Sequence, residues 1–142
     1  MLHGAILVGL LASMVNIAVH ATIMGPMSWS AHRMLRGARR AHAHVRLVLV
    51  MIATVTVLMA AHLIEITIWG LFYVMLDVAP KEADAFYFAF VNYTTLGYGD
   101  IVPVEYWRAL GPFTAMNGVL LFGWSTAVIF DVLRKVQPER EP

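Results

Sequence analysis

The chain has 142 residues, no cysteine and a formal net charge of +1. Only 13% of its residues are charged and 60% are hydrophobic, whereas soluble domains carry about 25% charged residues. An ordinary soluble domain is thereby excluded, as are a disulfide framework and a thiolate metal site.

Three apolar runs are long enough to cross a bilayer, which takes about 20 residues. The first extends from Leu2 to Met24. It lacks a basic leader and is too long for a secretory signal, so residues 1–30 read as a transmembrane helix. Ser13, Asn16 and His20 mark its packing face, with His20 placed toward the cytoplasmic end. The segment 31–45 follows, a cytoplasmic basic linker or interfacial helix containing "RMLRGARR". Arg33, Arg36, Arg39 and Arg40 suit anionic lipid, at about 1 kcal/mol per basic residue. Their spacing matches that of a voltage sensor, but Gly37, a discontinuous apolar face and the lack of acid-bearing partner helices exclude one. His32, His42 and His44 read as solvated, with metal chelation or a pH response as the alternatives.

The second run, Val45 to Leu76, is interrupted by His62 and Glu65. As a helix it is about 45–50 Å long, so it must tilt or protrude from a hydrocarbon core of about 30 Å. A charged carboxylate at mid-bilayer costs about 3 kcal/mol unless paired. Glu65 is therefore expected to bond Asn117, or else Asn92 or Tyr93. His62, Glu65 and Asn117 then form a buried polar buttress; a proton sensor is the sharper alternative. A metal or hydrolytic centre of His20, His62 and Glu65 is disfavoured, because counting from the helix ends puts His20 at another depth.

Residues 77–108 leave and re-enter one membrane face. Pro80 marks a turn, Glu82 and Asp84 suit a helix start, and "AFYFAFVNY" is too short to span. It reads as a half-helix over 83–94 returning through "TTLGYGD", and irregular backbone at that depth must be buried in protein or line water. An extended strand with all carbonyls on one side needs alternating backbone handedness. Gly97 and Gly99 reach positive φ without a Cβ penalty.

The third run, Ala109 to Leu133, carries Ala115, Val119, Phe122, Thr126 and Phe130 on one face. Gly118 and Gly123 read as hinges or close packing points. Eight of the ten basic residues fall on the side shared by the 31–45 segment and the C-terminus. The positive-inside rule makes that side cytoplasmic and leaves the N-terminus outside.

"TTLGYGD" at Thr94–Asp100 resembles the signature of the potassium channel pore family. Asp100, Pro103 and Trp107 resemble the exit of the filter in simple bacterial members, and "GVLLFGWSTA" (Gly118–Ala127) resembles their inner helix. The likeness covers roughly residues 50–133, and the first helix has no counterpart in two-helix members. It implies an all-α membrane protein, with a pore domain over 46–133 and a short cytoplasmic tail over 134–142. Four copies would form a homotetramer in a bacterial plasma membrane. It further implies K+ bound by the carbonyls of Thr95, Leu96, Gly97, Tyr98 and Gly99, supported by Thr94, Asp100, Tyr87 and Trp107. Val119, Phe122, Thr126 and Phe130 would line the cavity and gate, with Phe130 the inner narrowing. Val91 stands where some members carry a glutamate paired with the filter-end Asp, so Asp100 is expected to bond Tyr87, Asn92 or water. Neither an enzymatic activity, a cofactor other than K+ nor a nucleic-acid partner is expected. A non-conducting scaffold or modulatory subunit and a weakly selective cation channel are the alternatives.

Overall fold

The computed structural model describes residues 2–35, 43–80 and 83–134. Among them every regular element is helical: α1 (Leu2–Leu35), α2 (Ala43–Met75), α3 (Ala85–Tyr93), a 3₁₀ turn (Glu105–Trp107) and α4 (Leu110–Arg134). Three of these helices are long and apolar enough to cross a membrane. Arg36, Arg39, Arg40, His42, Glu82, Lys135 and Arg140 lie outside the described residues.

The first helix departs from expectation. Expected over residues 1–30, it continues through Pro26 to Leu35, and α2 begins at Ala43. The described parts of the 31–45 segment therefore extend the two helices. Proline is tolerated inside membrane helices because neighbouring groups satisfy the freed carbonyl.

The three long helices alternate in direction. Gly9 of α1 sits beside Phe113 near the start of α4, while Asn16 and His20 meet Glu65 of α2 and Met24 clusters with the earlier Leu58 and Ala61. The N-terminus of α1 and the re-entrant segment 77–109 consequently share one end of the bundle. Three apolar layers fill it. Trp69, Tyr73, Phe88, Tyr93 and Leu110 form the layer nearest the re-entrant segment. Met24, Leu58 and Ala61 form the middle one, and Ala31, Val50 and Val132 the far one.

Local chemistry sets the re-entrant loop. At the end of α2 the Val78 amide donates to the Tyr73 carbonyl and the Asp77 amide to Val74, with Asp77 at φ 50°. This is a left-handed helix cap in which aspartate takes the usual glycine place. Ala83 closes a turn onto the Pro80 carbonyl, and the Asp84 carboxylate accepts from the Phe86 and Tyr87 amides, satisfying donors that open α3. Gly70 lets the start of α3 approach α2, where a Cβ would lie 3.4 Å from Phe86 Cα.

Candidate functional site: the re-entrant strand and the polar layer behind it

Beyond α3 the backbone turns left-handed at every second residue: Thr95 at φ 60°, Gly97 at 56° and Gly99 at 77°. The two glycines were the anticipated positions; the threonine was not, because a β-branched residue with positive φ is a strained outlier of about 1–3 kcal/mol. The end of α3 fixes it there. The Thr95 amide donates to the Asn92 carbonyl and the Leu96 amide to Val91, while the Thr94 hydroxyl donates to the Phe90 carbonyl at 2.8 Å.

At the far end of the strand the Tyr87 hydroxyl donates to Asp100 Oδ2 at 2.8 Å. Tyr87 is thus the partner among the three considered. The acceptor carboxylate, and the negative charge it carries, hold the Tyr87 phenol above its ordinary pKa. Trp107 packs against the outer core layer, with the Tyr106 ring edge-on to it. Leu96 and Tyr98 are 53% and 68% exposed in the single chain.

Behind the strand lies a polar layer between the outer and middle apolar layers, and Glu65 is its centre. Its Oε1 contacts His20 Nδ1 at 2.8 Å and its Oε2 contacts His62 Nδ1 at 2.9 Å. The Tyr93 hydroxyl donates to the same Oε2, so α3 supplies one of the three partners expected for this carboxylate. Asn117 does not. It accepts from Asn16 Nδ2 at 3.1 Å and Trp69 Nε1 at 3.0 Å, and thereby ties α1, α2 and α4 together beside the carboxylate. Asn92 bonds the Tyr73 hydroxyl instead, at 3.2 Å.

His20 corrects a second expectation. It is completely buried and bonded to Glu65. The depth count placed it toward the cytoplasmic end of a shorter helix; in a helix running to Leu35, position 20 is central. His62 also reaches Ser125 Oγ on α4 through Nε2, at 3.0 Å. Trp69 and Ser125 were not foreseen in this layer. Asn16 and His20, polar and one turn apart in an apolar helix, carried the readable signal.

On α4, Val119, Thr126 and Phe130 are exposed and Ala115 is half-buried. Phe122 differs. Its ring is edge-on to His62 and Tyr93, with centroids 4.6 and 5.3 Å apart, so it packs on its own chain instead of standing free on the cavity face. Gly118 is pressed against the Tyr93 carbonyl oxygen, which a Cβ would strike, whereas the space around Gly123 is open. Gly118 is thus a packing point.

A family model described as an ion channel matches residues 61–135, just over half of the chain. The chain belongs to the ion channel family. The match takes in the outer half of α2, the re-entrant segment and α4, leaving α1 outside. No curated protein and no solved structure matches the sequence. Within this channel-family chain, Glu65 joins the matched region to a helix it does not include, through its contact with His20.

Proposed function

We propose that the chain is one subunit of a homotetrameric K+ channel whose ion path is lined by the backbone of Thr95, Leu96, Gly97, Tyr98 and Gly99. The observation that carries this reading is the left-handed φ at residues 95, 97 and 99. Alternating handedness keeps successive carbonyls on one side of a strand, and a ring of such oxygens replaces the hydration shell of K+. One strand per chain cannot close a ring, so four copies around an axis are required. The C-terminal end of α3 adds the negative end of its helix dipole at the inner mouth of the strand.

Thr94, the Tyr87–Asp100 bond and Trp107 brace the strand from outside. Phe130 forms the inner constriction, by dewetting of an apolar ring. The N-terminus faces outward and the C-terminus the cytoplasm of a bacterial cell. Arg33, stacked 5.1 Å over the Trp29 ring, meets anionic lipid at the inner surface together with Arg36, Arg39 and Arg40.

The deciding experiment is ion flux from liposomes containing the purified full chain. Expected are K+ flux well above Na+ flux, block by Ba2+, and loss of K+ flux in Gly97→Ala with the oligomer intact. Equal K+ and Na+ flux would make it a weakly selective cation channel. No flux from a folded tetramer would leave a scaffold or modulatory subunit.

A further inference from the structure

One ligand atom from each of His20, His62 and Glu65 lies within 4.8 Å of the others. Donors from α1 and α2 thus converge at a point enclosed between two apolar layers. A fourth donor is at hand, because the Tyr93 hydroxyl of α3 lies 3.0 Å from His62 Nδ1. We propose that His20, His62 and Glu65, with the Tyr93 hydroxyl, form an intramembrane site for a divalent transition ion such as Zn2+.

The donor set chooses the ion. Imidazole nitrogens suit Zn2+, Cu2+ and Ni2+, whereas Mg2+ and Ca2+ require shells of oxygen. Zinc bonds of about 2.0–2.2 Å put neighbouring donors of a tetrahedral shell roughly 3.4 Å apart. The His20–Glu65 and His62–Glu65 separations of 2.8 and 2.9 Å, to Oε1 and Oε2 respectively, are shorter than that, and the three ligand atoms all lie within 4.8 Å of one another. The single carboxylate offsets half of the ion's charge where water is excluded. Because Tyr93 directly precedes Thr94 and Thr95, the bound ion clamps α1 and α2 to the base of the strand.

The test uses the purified full chain, stripped with chelator and titrated with Zn2+ in detergent, and its readout does not depend on conduction. Expected are about one ion bound per chain, a rise in melting temperature on binding, and no competition from Mg2+. His20→Gln and His62→Gln should each weaken binding by more than about 100-fold, beyond what loss of an outer-shell partner costs. A triple variant of His32, His42 and His44 to Ala should bind as the parent does. Co2+ added to the parent protein should give the intense visible bands of tetrahedral coordination, a readout that survives if either Gln variant fails to fold. Absence of binding to the folded parent, loss of binding only in the triple variant, or weak octahedral Co2+ bands would each overturn the proposal.

Discussion

A methyl group added at Gly118 would meet the Tyr93 carbonyl oxygen, an atom of helix backbone that cannot swing away. Gly118→Ala should therefore lower stability by about 1–3 kcal/mol, the usual cost of overpacking. Gly123→Ala meets nothing within 4 Å and should be neutral or gain up to about 1 kcal/mol of helix propensity. Thermal unfolding of the two variants in detergent checks the contrast. Equal stabilities would return Gly118 to the role of a hinge. The Tyr87–Asp100 bond makes a second prediction at this scale. A phenol whose pKa is raised in the fold favours the protonated state, so the bond is present below the ordinary phenol pKa of 10.0 and is lost as pH climbs above it. Flux through the parent channel should decline at alkaline pH beyond 10.0, and Tyr87→Phe, which has no proton to lose there, should remove that step. An unchanged alkaline decline in Tyr87→Phe would place the titration elsewhere.

Among the elements, α1 packs in all three apolar layers through Ala12, Met24 and Ala31 and adds a few polar contacts that its length brings into register. Removing the Glu65 carboxylate deprives His20, His62 and Tyr93 of their common acceptor. Glu65→Ala should cost about 3 kcal/mol or more, since each buried polar group left without its acceptor costs about 1–3 kcal/mol, and should be read as loss of folded protein on size exclusion. If Glu65→Ala keeps its melting temperature, the layer is not what holds α1 to the bundle. The elements themselves were legible in the sequence wherever the cause was local. Pro80 and Asp84 announce the start of α3 within two residues of Ala85, and the third apolar run coincides with α4 to within one residue at each end. The end of α1 was not legible, since the basic residues from 31 onward read as a separate segment, whereas the helix runs on to Leu35 with Ala31 packed against Val50 and Val132. That single misplaced boundary hid the His20–Glu65 contact. Thr95 escaped for a different reason: its positive φ is imposed by the end of α3 against the preference of a β-branched residue.

For the whole molecule the decisive quantity is which apolar and polar surfaces one chain leaves uncovered. Leu7, Leu11, Met14, Ile52 and Met59 are exposed along α1 and α2, as lipid contact allows. The strand 95–99 is exposed as well, and its backbone polar groups cannot face lipid; the proposed function has copies of the chain associate around it. On the proposed reading, the inner constriction falls to a residue that its own chain leaves uncovered. Phe130 is 62% exposed, whereas the Phe122 ring is engaged with His62 and Tyr93. Phe130→Ala should therefore raise K+ flux several-fold while leaving the melting temperature nearly unchanged. Phe122→Ala should do the reverse, losing about 2 kcal/mol or more through the cavity it leaves beside Tyr93. Flux and thermal unfolding measured on the same preparations separate the two residues. A rise in flux confined to Phe122→Ala would move the constriction up the helix, next to the polar layer.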